Sequence, residues 1–346
     1  MEENHEIFIK RCFDLAKRGL GAVSPNPLVG CVIVHQNTII GEGWHQQFGG
    51  AHAEVNAIAS VTPENKYKLT ESTVYVSLEP CCHTGKTPPC TQLLIQHQVK
   101  KVVVSTLDPN PKVAGNGIAQ LKAAGIAVVQ GILENEGNAL ISSFTKNILQ
   151  QKPYITLKWA QTKDGFISKN GEQIAISNNL SNRFVHQIRS EMDGIMVGTN
   201  TVLIDNPTLN NRLFYGKSPI PIFIDQHGKV PINSNIRQNN KSIIISTLPN
   251  YPTLGEQKII DFPMNEAHIN LILKALYQMN IGKLLVEGGA ALLQFFIDQN
   301  VFDEIIIIES DRVLGTVKAP NLDLLPNKME NIGEIVGIII KVINFL

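Results

Sequence analysis

The chain has 346 residues, 43% of them hydrophobic and 17% charged, which excludes intrinsic disorder and suits about two packed domains. Its 30 basic and 30 acidic side chains cancel, so no positive excess is available to hold a nucleic-acid backbone and no nucleic-acid partner is expected. Apolar runs stay short of the roughly 18 residues of a membrane helix, and the acidic start Met1-Glu2-Glu3 lacks an apolar signal core, so a cytoplasmic protein without a membrane partner is expected.

Residues Ile7 to Gly19 read as a helix: Phe8, Cys12, Leu15 and Ala16 share one face and Gly19 stops it. Val23-Ser24-Pro25-Asn26-Pro27 cannot be helical, because each proline pushes its predecessor toward extended conformations. Val29 to Val34 and Thr38 to Gly43 read as a hairpin across Gln36-Asn37. A helix follows from His52 to Ser60, then a strand from Thr73 to Leu78 and a helix from Cys90 to His97. Beyond it come a strand at Lys101–Ser105, a helix near Gly117–Ala124, a strand at Ile126–Gly131 and a helix near Glu134–Gln150. Alternating strands and helices predict a three-layer α/β domain over residues 1–150.

The rhythm restarts after Gln150-Gln151-Lys152-Pro153, giving a second α/β domain over 151–346. Strands are expected at Tyr154–Ala160, Gly194–Val197, Ile220–Asp225, Ser242–Ser246, Lys283–Glu287 and Glu304–Ile308, with helices at Asn179–Glu191, Ala267–Met279 and after Gly288-Gly289. Two glycines between a strand and a helix let main-chain N–H groups approach a phosphate, although such a pair also serves simply as a tight bend. No G-x-G-x-x-G is present. The apolar stretch from Ile335 to Leu346 reads as a buried terminal strand and invites a homo-oligomeric interface.

The chemistry concentrates between Gly50 and Cys90. All five cysteines, Cys12, Cys31, Cys81, Cys82 and Cys90, fall in the first third, a placement that favours metal ligation over a disulfide framework. His52, Cys81 and Cys90 offer one imidazole and two thiolates, a set that suits zinc and leaves a fourth position for water. Water on zinc loses its proton near neutrality. Glu54, two residues after His52, is placed to shuttle protons, so hydrolytic deamination of a base is the first reading. Cys82 is an alternative to Cys81 as a ligand. A set of merely buried cysteines, or a closed structural zinc site with Cys82 as fourth ligand, is the bland reading. Asp108 and Asn110 follow a strand end, where ligand groups cluster, though Asp, Asn and two prolines also make a turn.

His52-Ala53-Glu54, Glu79-Pro80-Cys81 and Lys86-Thr87-Pro88-Pro89-Cys90, with Pro25-Asn26-Pro27 and Asp108-Pro109-Asn110-Pro111, resemble the bifunctional riboflavin-biosynthesis deaminase/reductase family. Eight residues separate Cys81 from Cys90, where nucleoside deaminases commonly show Pro-Cys-x-x-Cys. The resemblance continues through Asp164-Gly165, Val197-Gly198-Thr199, Asp205-Asn206-Pro207 and Glu287-Gly288-Gly289. It implies a cytidine-deaminase-like α/β/α domain followed by a dihydrofolate-reductase-like α/β domain. It also implies two steps: deamination of a diaminopyrimidinone carrying ribosylamino 5-phosphate, then NADPH reduction of the ribosyl group to a ribityl chain.

The same resemblance implies residue roles. Zinc falls to His52, Cys81 and Cys90, and proton transfer to Glu54. Asn26, His45, His83, Lys86, Asp108 and Asn110 take the first substrate, and Lys158, Gln173, Arg189, Leu209, Arg212 and Glu287 the second. Ala160, Ala175, Thr201, Asp205 and the segment Gly289, Ala290, Ala291, Leu292, Leu293, Gln294, Phe295 take NADPH. Ala175 stands where members usually carry a tryptophan, Pro221 where many carry arginine, and Cys82 where a small hydroxyl residue is usual. The alternatives are a zinc deaminase whose second half is a degenerate scaffold, and a zinc-containing nucleic-acid-editing protein, which the neutral charge opposes.

Overall fold

The computed structural model describes residues 4–83, 88–111, 113–168, 178–313, 317–322, 330–334 and 338–344. Lys86, Gln173 and Ala175 lie outside the described residues. The chain divides into two compact units, Met1–Gln150 and Gln151–Leu346.

In the first unit, α1 (His5–Lys17) precedes the hairpin β1 (Gly30–His35) and β2 (Thr38–Trp44), then α2 (Ala53–Ser60). A 3-10 turn leads to β3 (Thr73–Leu78), α3 (Cys90–Gln96), β4 (Lys101–Thr106), α4 (Asn116–Ala123), β5 (Ala127–Gln130), α5 (Glu134–Leu140) and α6 (Ser142–Gln150). The sheet order is β2-β1-β3-β4-β5, antiparallel on the hairpin side and parallel from β3 to β5. Alternate strand residues point to opposite faces. Cys31, Ile33, Val74, Val76 and Val102 therefore pack against α2, α3 and α4, while Val32, Tyr75 and Val103 pack against Ile9, Cys12 and Leu15 of α1. Gly43 brings α2 onto the sheet: a Cβ there would stand 2.2 Å from the Ala57 nitrogen.

The second unit is built from β6 (Tyr154–Thr162), β7 (Phe166–Ser168), α7 (Asn179–Ser190), β8 (Gly194–Val197), α8 (Thr199–Asp205), β9 (Ile220–Ile224) and α9 (Asn235–Gln238). It continues through β10 (Ile243–Ile245), β11 (Lys258–Ile260), α10 (Ile269–Gln278), β12 (Lys283–Gly288), α11 (Ala290–Asp298), β13 (Glu304–Ser310), β14 (Val317–Lys318), β15 (Glu330–Glu334) and β16 (Ile338–Asn344). Its main sheet runs β11-β10-β9-β8-β12-β6-β13-β16-β15, parallel from β11 to β13 and antiparallel beyond. One face packs on α10 and α11 through Leu157, Val286, Leu273 and Phe296, and the other on α7 and α8 through Ile195, Leu285, Ile188 and Val202. Asn178 caps α7 by accepting from the Leu180 and Ser181 amides, and Ser181 returns the contact in a capping box.

Several expectations shift. The single helix expected over 134–150 is two, α5 ending at Leu140 and α6 starting at Ser142, and serine is a residue type that favours helix starts over helix interiors. The short edge strand β11 and the small strands β7, β14 and β15 carry too little pattern to stand out in the sequence. Pro221 sits inside β9 at no cost to the ladder. The Ile220 amide faces Asp193 (2.8 Å), so the Pro221 nitrogen faces β10, whose register begins only at Ile222. The apolar strand expected near the C-terminus exists as β16, with Ile340, Val342 and Ile343 buried between β13 and β15.

Candidate active sites

In the first unit three element ends converge. His52 occupies the N-cap of α2, Cys81 follows the end of β3, and Cys90 opens α3. The His52 Nδ1 lies 3.6 Å from the Cys81 Sγ and 3.3 Å from the Cys90 Sγ, and the Cys90 amide donates to the Cys81 Sγ at 3.3 Å. The three ligating atoms all lie within 4.8 Å of one another. Cys82 is outside this group. Cys90 and then His52 hydrogen-bond the Cys81 thiol and draw it down to about 4, while the same contact with Cys81 pushes Cys90 up. Glu54, in the first turn of α2, is 3% exposed, and burial raises its carboxyl above the ordinary range.

The buried His45 donates from Nδ1 to the Ala51 carbonyl (2.9 Å), which leaves Nε2 to accept from the Asn26 amide at 3.0 Å. Its ring stands edge-on to His52, 5.6 Å between centroids. Burial lowers the His45 pKa, in keeping with a neutral ring. Asp108 accepts from the Asn110 amide at 2.8 Å, and its carboxyl is raised by burial and then by the negative charge of Glu79, with smaller effects of His83 and Cys81. His83 is exposed.

The second unit gathers Lys158, Ala160, Arg189 and Arg212 on one pocket of about 230 Å³, lined also by Asn182, Val185, His186, Leu213 and Ile308. Arg189 grips Glu287 with both fork nitrogens, Nε to Oε1 at 3.1 Å and NH2 to Oε2 at 2.7 Å, and gives NH1 to the Asn210 carbonyl. The fork expected to meet a phosphate is therefore occupied by Glu287, and Arg212, held by Asn210 Oδ1 at 3.1 Å, is the more open guanidinium. Burial alone would raise the Glu287 carboxyl, but Lys158 and Arg189 hold it at about 2. Burial lowers the Lys158 ammonium. Leu209 is 4% exposed and packs in the core, so only its main chain can face a ligand.

The residues expected to hold the cofactor divide. Ala160 lines the pocket itself. Gly289, at φ +76°, opens α11, and a Cβ there would lie 3.3 Å from the Thr201 hydroxyl. Leu292 and Leu293 are buried in the core and Phe295 packs against it, while Gln294 bonds Asp298 and the Asn321 amide. Gly289 and Ala290 are half-buried and Ala291 is exposed at the start of α11. Asp205 ends α8 and is exposed.

Residues 2–106 match the family model described as the cytidine and deoxycytidylate deaminase zinc-binding region, and residues 153–326 match the RibD C-terminal domain. The riboflavin biosynthesis protein RibD of Aquifex aeolicus is 35% identical across 99% of each chain, and that of Actinobacillus pleuropneumoniae 38% identical across 90% of this chain and 85% of the relative. The chain belongs to the RibD family. A RibD-family crystal structure from Thermotoga maritima, a diaminohydroxyphosphoribosylaminopyrimidine deaminase/5-amino-6-(5-phosphoribosylamino)uracil reductase, superposes with a TM-score of 0.90 at 34% identity over 99% of both chains. RibD of Acinetobacter baumannii gives 0.86 at 31% identity over 98% of both.

The donor set bears out the metal expected of a RibD protein. One imidazole nitrogen and two sulfurs, one of them already favouring thiolate, fit zinc. The second unit fits a dinucleotide in a coarser way: the glycine pair starts a nine-residue helix with no side-chain cap, a suitable place for a phosphate. Two residues make contacts for which the sequence suggested no role, Glu79 having entered only as part of a motif. His186 is buried beside the pocket and takes the Arg212 amide on Nδ1 at 3.1 Å, and Glu79 binds four main-chain amides. His186 sits four residues after Asn182 on α7, a spacing that puts both on one helix face.

Proposed function

We propose that this RibD-family deaminase/reductase carries out its two steps at the two sites described, using the residues gathered there. The substrate of the first is a 2,5-diamino-6-ribosylamino-4-pyrimidinone 5'-phosphate, and of the second the deaminated ribosylaminouracil phosphate. The observation that carries the reading is the buried Glu54 carboxylate beside His52, Cys81 and Cys90.

His52 would hold zinc through Nδ1, with Cys81 and Cys90 through sulfur. Zinc, when bound, supplies Lewis acidity toward water. Glu54 would serve as the proton carrier of the site, accepting a proton from the attacking water on a carboxylate oxygen and delivering it to the departing amino group. Burial suits both halves of this exchange, because it brings the carboxyl's proton affinity toward that of its partners. Asn26 and His45 orient the ring: the Ala51 carbonyl fixes the His45 tautomer, and His45 Nε2 in turn fixes the direction of the Asn26 amide. Asp108, Asn110, His83 and Lys86 take the ribose phosphate.

In the second unit Ala160, Thr201, Asp205 and the main chain from Gly289 to Ala291 would hold NADPH, which would supply the hydride for the sugar carbon. Arg212 takes the phosphate and Lys158, with its weakened hold on a proton, stands beside the reacting end. Glu287 holds Arg189 and Lys158 in place. Thr201, Asp205, Gln173, Ala175 and Gly289 to Ala291 form the rest of the cofactor and substrate contacts. The reading includes a cytoplasmic location, a small-molecule substrate in preference to nucleic acid, and a homo-oligomeric state.

The test follows NADPH oxidation by absorbance with zinc-loaded protein and the diaminopyrimidinone phosphate as sole substrate. Oxidation is expected, and Glu54→Gln should slow it by about 100-fold or more, as loss of general acid–base catalysis does. Ammonia release without any oxidation would instead make the second unit a scaffold.

A further inference from the structure

We propose that Glu79 is a positioning residue of the deaminase site, holding the main chain at Asp108 and at the start of α4 so that Asp108 and Asn110 face the sugar. The proposal rests on the reading that those two residues contact substrate. Glu79 is 3% exposed, at the end of β3 and two residues before Cys81. Its Oε1 accepts from the Gly117 and Ile118 amides at 2.9 and 3.2 Å, and its Oε2 from the Gly115 and Asp108 amides at 2.9 and 3.3 Å.

One carboxylate thus does two things. It caps the first turn of α4 from outside the helix, where an anion is favoured. It also fixes the main chain at Asp108, whose side chain in turn accepts from the Asn110 amide. The Glu79 amide donates to the Thr106 carbonyl at 2.9 Å, so loop and ligand strand are tied at both ends. Cys81, the loop and α4 therefore share one reference point. The turn itself is closed by the Val113 and Ala114 amides on the Asn110 carbonyl, and Glu79 is what ties that turn to β3 and so to Cys81.

Gln at position 79 has the same size but turns an NH2 toward amides that need an acceptor. The KM for the diaminopyrimidinone phosphate should rise about ten-fold or more, with a smaller fall in kcat, as expected when hydrogen bonds to a charged group are lost. Zinc per chain should stay at the wild-type value, and so should NADPH oxidation when the deaminated substrate is supplied directly. Asn110→Ala should raise KM too, and in the Glu79→Gln background it should add little, because both changes remove the same contact.

Wild-type KM in Glu79→Gln beside an impaired Asn110→Ala overturns the proposal alone, as do additive effects or a loss of zinc. A wild-type KM in Asn110→Ala defeats the underlying reading, and the proposal with it. Should Glu79→Gln not fold, Glu79→Asp, which keeps the charge at shorter reach, should give an intermediate KM, and an unchanged one counts against the role.

Discussion

Arg189 and Glu287, 98 residues apart in the chain, form a two-pronged ion pair whose carboxylate also faces Lys158. Two cations around one buried anion cannot lose the anion cheaply. Glu287→Gln should destabilise the protein by about 3–5 kcal/mol, read from urea unfolding at neutral pH, because it strands buried positive charge. The pH dependence has a definite sign. A carboxyl held at about 2 in the fold binds fewer protons than the same group unfolded, so its contribution is complete at neutral pH. It should begin to fall as pH drops below about 4.5 and vanish near 2, visible as convergence of the wild-type and Glu287→Gln unfolding midpoints in acid. Such a pair was not legible in the sequence. Arg189 and Glu287 matched family positions, but nothing in linear spacing says that one occupies the other's fork. The zinc trio was legible because two of its members fall beside proline-marked strand and helix ends, and because imidazole, thiolate and a nearby acid make a restrictive combination.

Strand β2 and helix α2 meet main chain to main chain at Gly43. Replacing Gly43 by Ala would put a methyl 2.2 Å from the Ala57 nitrogen and 2.5 Å from the Ala53 carbonyl, so the helix must move. Because α2 carries His52 and Glu54, the expected outcome is a loss of at least about 2 kcal/mol together with less zinc per chain, measured by thermal unfolding and metal analysis. A drop in stability with full zinc content would mean that the hairpin yields in place of the helix. Most elements were legible from period alone: β3 is found over Thr73–Leu78 and β8 over Gly194–Val197, as expected. What escaped was short or exposed. Three-residue strands such as β11 show no alternation to count, and the break at Ile141 falls inside a stretch whose helical period continues across it.

Across the whole molecule the two units carry separate chemistry, since one site draws its residues from the first and the other from the second. Removing zinc with a chelator should abolish ammonia release yet leave NADPH oxidation on directly supplied deaminated substrate within about two-fold of normal. Equal loss of both activities would mean that the second unit depends on the metal for its fold. No helix among the described residues is long and apolar enough to cross a membrane.

Strand β16 also bears on how the protein is made. It covers one edge of β13 and is itself covered by β15, so the last element in chain order sits inside the sheet. Until a ribosome has delivered it, β13 presents unpaired amides and carbonyls along an Ile-rich edge, the kind of surface that recruits neighbouring nascent chains. The first unit, whose strands all precede Gln150, carries no such delay. The β13–β16 ladder therefore needs the chain through Asn344, whereas every strand of the first unit's sheet is complete by Gln130.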